Sequence, residues 1–108
     1  MEERRIIPRH VLQPALASFL TVPGSCGPMP AAVLNVSTQG MELYLARPPE
    51  VTDSGFLQLL DGPIALRRLI ALRIIHVRPA GDGGHLAGVH FVEPLTEAEL
   101  GTLRNWER

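Results

Sequence analysis

The sequence predicts an all-β domain with one helix: a six-stranded antiparallel β-barrel followed by a C-terminal α-helix. Three observations carry this. Apolar runs of strand length recur along the chain, several of them alternating with period two. Pro, Gly, Asp and Ser cluster between the runs, where they set turns and interrupt strands. One stretch, near the C-terminus, combines a helix start signal with a helical apolar stripe. Strands followed by a single helix suit a small barrel with the helix laid across an opening or side.

Length and composition allow this and little more. At 108 residues there is room for one domain and one modest core. Apolar residues at 45 % and charged residues at 19 % describe an ordinary soluble globular chain. The net charge of −1 argues against a surface that is mainly a nucleic-acid or membrane footprint. All ten basic residues are Arg, so every positive charge is planar and able to fork onto an anion. Cys26 is the single cysteine, which excludes an intrachain disulfide and makes a reducing cytoplasm the natural compartment. No apolar run approaches the roughly 18 residues of a membrane span, and the charged N-terminus lacks the apolar segment of a signal peptide. The expectation is a complete, small, cytoplasmic protein without membrane insertion, a monomer or homodimer.

Taken in order, residues 1–9 form a charged arm in which Pro8 pushes Ile7 away from helical geometry. His10 to Val22 reads as a strand, with Leu12, Leu16 and Leu20 on one parity and Pro14 at an edge or bulge. Pro23 to Pro30 is a loop that carries Cys26. Ala31 to Val36 and Met41 to Ala46 are paired strands joined by a short polar connection closed by Gly40. A second loop runs from Arg47 to Ser54, and Phe56 to Leu60 is a strand closed by Asp61-Gly62-Pro63. Ala65 to Val77 fits a helical stripe as well as a strand, and its β-branched residues tilt it towards strand. A Gly-rich turn, Pro79 to Gly84, leads to a returning strand over Leu86 to Val92. Thr96-Glu97-Ala98-Glu99 is a capping box flanked by Leu95 and Leu100 at staple positions. Leu100, Leu103 and Trp106 then give a helix at about residues 97–106. The division expected is an arm over residues 1–9 and a barrel domain with its helix over residues 10–108.

Two groups of residues could carry chemistry. Arg5 and Arg9 stand four residues apart in the arm. In extended chain their Cα atoms are about 13 Å apart and their side chains share a side. Two guanidiniums so placed can grip a flat, anionic, multi-group ligand. Each can fork onto the O6 and N7 edge of guanine, clamp a phosphate or stack on a base. The plain alternative is a solvated arm paired with Glu2 and Glu3. Asn35, Ser37 and Gly40 form the second group. Asn offers a donor and an acceptor, Ser a hydroxyl, and Gly permits positive φ or a close approach to the backbone. An ordinary polar hairpin would contain the same residues.

Together, in this order, Arg5-Ile6-Ile7-Pro8-Arg9 and Asn35-Val36-Ser37-Thr38-Gln39-Gly40 resemble the two halves of the PilZ domain motif, Arg-x-x-x-Arg and Asp/Asn-x-Ser-x-x-Gly. Leu43 and Leu45 match that family's apolar strand. Gly88-Val89-His90-Phe91 looks like its closing Gly-x-x-Phe strand, and the terminal helix falls where the family has one. The resemblance implies a PilZ-type barrel and binding of cyclic di-GMP, the bacterial second messenger. It places Arg5 and Arg9 on guanine and phosphate, and Asn35, Ser37 and Gly40 around one guanine. In similar proteins an Arg in the position of Arg4 goes with an intercalated ligand dimer, which implies two stacked ligand molecules here. Such a receptor, in motility or biofilm regulation, would hand its state to a downstream effector protein, with no cofactor.

The remaining polar residues carry less. His76, His85 and His90 lie on neighbouring strands and their turn, but no pair has metal-ligand spacing and no Cys joins them. Hydrogen-bonded strand histidines are the better reading. Cys26 has no neighbouring base or ligand in sequence. Nothing in the spacing points to a catalytic triad or a carboxylate pair, so an enzyme has the least support. Arg67, Arg68, Arg73 and Arg78 would form a basic strip if Ala65 to Val77 is a strand, with a solvated face as the default. Two other functions fit the fold: a nucleotide-independent protein-interaction adaptor, and a small barrel binding RNA or single-stranded DNA. The intact motifs count against the first. Only five aromatic residues count against the second, which needs stacking platforms.

Overall fold

The computed structural model describes residues 10–23, 27–49, 54–60 and 68–104. Six strands run β1 His10–Thr21, β2 Met29–Val36, β3 Gly40–Leu45, β4 Ser54–Leu59, β5 Ile70–Pro79 and β6 His85–Phe91. One helix, α1 Glu97–Arg104, follows them. Every strand pairing is antiparallel, and the order β1-β2-β3-β6-β5-β4 closes on itself through β4 and β1. The expected six-stranded barrel with a terminal helix is the observed fold. Closure gives every described strand a neighbour on both sides.

Alternation is what lets these residues close a barrel. In β4, Gly55, Leu57 and Leu59 face inward while Ser54, Phe56 and Gln58 face out. The interior is filled by side chains such as Leu20, Val33, Leu43, Leu57, Leu72 and Ile74, all without exposed surface. A barrel this narrow is a packed core rather than a channel. Ser18 also points inward, and its hydroxyl donates to the Ala31 carbonyl at 2.7 Å, which satisfies it.

Three irregularities shape the wall. In the β1–β2 ladder the register shifts between Val11 and Leu16, a stretch that contains Pro14, which has no N–H to give the ladder. In β2, Val33 pairs with Leu43 and Asn35 with Glu42, so Leu34 is an extra residue. In β5, Ile74 pairs with Val89 and His76 with Gly88, so Ile75 is extra. These two are β-bulges of the two-against-one kind. Without the bulge at Leu34, strict alternation from Val33 would turn Asn35 into the core and Val36 out of it. The bulge keeps Val36 buried and leaves Asn35 on the outer side.

The capping box forms as the sequence predicts. The Thr96 N–H donates to Glu99 Oε1 and the Glu99 N–H to Thr96 Oγ1, both at 3.0 Å. Leu95, Leu100 and Leu103 are buried and join the barrel core, so the helix closes over apolar surface. Trp106 lies outside the described residues. The strand expected from Ala65 begins at Ile70: Arg68 and Leu69 precede it and are exposed. Arg68 pairs instead with Glu99 of the helix at 3.0 Å. Among the described residues, no helix is long and apolar enough to cross a membrane.

Candidate functional site

The connection between β2 and β3 is built around Ser37. Its N–H donates to the Gly40 carbonyl at 2.8 Å. Its hydroxyl oxygen accepts from the N–H groups of Gln39 at 3.2 Å and Gly40 at 3.3 Å, and the hydroxyl lies 3.4 Å from the Gly40 carbonyl. Ser37 is 4 % exposed, so the hydroxyl expected to face a ligand is engaged in closing the turn. Gly40 is required for a different reason than positive φ. Among the described residues the positive-φ glycines are Gly27, Gly81 and Gly83. At Gly40 a Cβ would overlap the carbonyl oxygen of Val89, so the absence of a side chain lets β6 come close.

The tip of this hairpin is also tied from outside. The Phe91 N–H donates to the Gln39 carbonyl and the Leu95 N–H to the Thr38 carbonyl, each at 2.8 Å. The end of β6 and the segment before α1 therefore fix the turn in place.

Beside the turn lies a polar row that crosses four strands. Asn35 pairs with Glu42, Glu42 with Gly88, and Gly88 with His76. The Asn35 Nδ2 donates to Glu42 Oε1 at 2.9 Å, and an Arg78 guanidinium N–H donates to Glu42 Oε2 at 3.1 Å. A Cβ at Gly88 would overlap the His76 ring, so the imidazole occupies the space above that glycine. Both bulges border this row, Leu34 at one end and Ile75 at the other. Further along the sheet, the Tyr44 hydroxyl donates to Asp82 Oδ2 and the Gly84 N–H to Asp82 Oδ1, both at 2.9 Å. Those donors, Gly84 first, hold the Asp82 carboxyl below its ordinary range, and the same carboxylate pushes the Tyr44 hydroxyl up.

The start of β1 completes the geometry. His10, the first described residue, pairs with Val36, and Val11 pairs with Asn35. The chain thus enters the barrel alongside the hairpin. A family model of the PilZ domain matches residues 3–107. The chain belongs to the PilZ domain family.

Solved structures agree on the fold. The Bacillus subtilis inhibitor of motility, MotI/DgrA, is similar with a TM-score of 0.69 and 14 % identity, over 95 % of this chain and 49 % of that one. The K. pneumonia MrkH–c-di-GMP complex is similar with a TM-score of 0.64 and 15 % identity, over 95 % of this chain and 50 % of that one. This PilZ chain thus spans about half the length of each. No curated protein matches it.

Within the PilZ barrel, the residues singled out in sequence fall into two sets. Asn35, Ser37 and Gly40 come together in and beside one turn. Arg4, Arg5 and Arg9 lie outside the described residues, as do Cys26 and Arg67. Sequence reasoning missed Glu42, although its outward parity two residues beyond Gly40 was the available signal. Of the histidines, His76 belongs to the polar row, His90 is exposed on β6, and His85 has a buried Nδ1 without a hydrogen-bond partner among the described residues.

Proposed function

We propose that this PilZ domain is a receptor for cyclic di-GMP, gripped between the arm residues Arg5 and Arg9 and the hairpin residues Asn35, Ser37 and Gly40. The observation that carries the reading is the register at the start of β1: His10 lies opposite Val36. Arg9 directly precedes His10 in the chain, so the stretch carrying Arg5 and Arg9 joins the barrel at a strand end that neighbours the Asn-x-Ser-x-x-Gly turn. Two guanidiniums and a rigid polar turn are a fit for a ligand with two phosphates and two guanines. The c-di-GMP bound by MrkH, whose fold this chain shares, supports the same choice.

In this reading the Arg pair supplies most of the affinity, and the turn supplies shape and guanine selectivity. Since Ser37 and Gly40 are spent on the turn, their contribution is a fixed backbone surface rather than a free side chain. Asn35, steadied by Glu42, is the side chain nearest to a base-reading role. Arg4 adds a third guanidinium for a second, stacked ligand molecule. Binding orders residues 1–9 over the ligand, and the altered surface is read by a downstream effector protein in the bacterial cytoplasm. The protein acts as a receptor rather than an enzyme.

Isothermal titration of the full chain with cyclic di-GMP tests this. Saturable binding by the tens of micromolar is expected, and its absence with demonstrably folded protein overturns the reading. The internal use of the Ser37 hydroxyl favours one competitor, an adaptor that docks on a partner without nucleotide, and the same titration separates the two.

A further inference from the structure

The outer face does not end at the hairpin. Gly40 pairs with His90 on β6, and His90 pairs with Arg73 on β5, so the three lie on one line across the sheet. Their neighbours Met41, Val89, Leu72 and Ile74 are buried, whereas His90 and Arg73 are exposed. Both side chains therefore stand on the same surface as the polar row beside the turn. Gly40 has no side chain to stand between the turn and His90. Two strand spacings, about 10 Å, separate the Arg73 backbone from that of Gly40, which is within reach of one cyclic dinucleotide lying across β6.

Charge sets Arg73 apart from Arg68 and Arg78, the described arginines nearest to it in the chain. Arg68 is paired with Glu99 and Arg78 with Glu42. Arg73 has no acidic partner among the described residues, although it sits at the centre of a strand. The Phe91-to-Gln39 hydrogen bond fixes β6 against the turn, so the spacing of this line is set before any ligand arrives.

We infer that Arg73 and His90 form a third wall of the same site, with the Arg73 guanidinium taking a phosphate of the bound dinucleotide. The inference rests on the cyclic di-GMP reading above. A guanidinium fork on phosphate is a strong, charge-assisted contact, and one lying two strands beyond the turn would hold the part of the ligand that crosses β6. His90, between Arg73 and Gly40, offers a ring nitrogen and a flat face to the part of the ligand that crosses β6.

The test is titration of the full chain with cyclic di-GMP at low and high NaCl, for wild type, Arg73→Gln, Arg73→Lys and Arg47→Gln. Arg47 follows the far end of β3 from the turn and serves as the control. Arg73→Gln is expected to weaken binding by roughly tenfold or more, and the gap should narrow as salt screens the contact. Arg73→Lys should fall between, and Arg47→Gln should match wild type. Circular dichroism confirms that each variant is folded, and Arg73→Lys keeps the test decisive if Arg73→Gln is not. Wild-type binding with Arg73→Gln within twofold of it, or a gap that salt does not move, overturns the third wall and leaves the arm-and-turn reading standing. No binding by wild type overturns both.

Discussion

The carbonyl of Val89 occupies the space that a side chain on Gly40 would need. The obstacle is backbone, held in the β3–β6 ladder of a closed barrel, and cannot rotate away. Gly40→Ala is therefore expected to destabilise the fold by about 2–3 kcal/mol, the upper part of the range for forced overpacking. Gly88 has the same conflict with the His76 ring, but that side chain is exposed and can swing out. Gly88→Ala should cost less than about 1 kcal/mol. Urea unfolding of the two variants tests the order, and equal losses would refute this account of Gly40. The result also matters for binding assays, because a Gly40 variant that fails to bind has to be shown to be folded.

Removing either arm guanidinium tests the proposed grip directly. Arg5→Ala and Arg9→Ala should each lower cyclic di-GMP affinity by at least about tenfold, the loss expected for a contact between charged groups. Calorimetric titration gives the number. Wild-type affinity in either variant would remove that residue from the site.

Glu42 puts a carboxylate beside the place proposed for a dianionic ligand. Glu42→Gln keeps an acceptor for Asn35 while removing the charge. Affinity should rise by about twofold to tenfold at low salt and approach wild type at high salt, because the repulsion is screened. Stability should change by less than about 1 kcal/mol, since the Arg78 partner is 58 % exposed. A drop in affinity would instead mean that the charge on Glu42 is needed to hold Asn35 in position.

The helix start should give the protein an acid-sensitive corner. The Thr96 N–H, with help from Arg68, holds the Glu99 carboxyl below its ordinary value of 4.5. Folding thus lowers the affinity of Glu99 for a proton. Its contribution is fully present above the unfolded value and is lost as pH falls through the folded one. Thermal melts of wild type should therefore lose stability below about pH 4.5, and Glu99→Gln should show a shallower loss across that window. Near neutral pH the same variant should cost less than about 1 kcal/mol, because its ion pair with Arg68 is partly solvated. Parallel pH profiles would rule Glu99 out as a source of the acid sensitivity.

Much of this architecture could be read from residue pattern. Strand alternation, the Pro and Gly clusters and the Thr96–Glu99 box are local signals, and local signals agree here with the tertiary result. What escaped the pattern was register. A bulge is a single surplus residue, invisible to a period-two count, and only the cross-strand partners of Leu34 and Ile75 reveal it. That is why Asn35 and Ser37 were legible as a motif, while Glu42, Gly88 and His76 were not legible as their neighbours. The start of β5 is hidden in the sequence for a related reason. The apolar residues from Ala65 onward satisfy both periods, and the exposed Arg68 and Leu69 lie ahead of the first ladder pair. The uses of Ser37 and Gly40 were also hidden, since a hydroxyl in a turn and a glycine against a carbonyl depend on how the folded chain closes around them.

Leu34 and Ile75 have one more consequence. Strike both from the chain and every other residue of β2 and β5 keeps its side of the wall: Val33 in, Asn35 out, Val36 in; Ile74 in, His76 out, Val77 in. The core would not register the loss. What these two surplus residues supply is bend, one at each rim of the face bearing Asn35, Glu42, Gly88 and His76. They are spacers that bend the barrel wall locally on either side of that face.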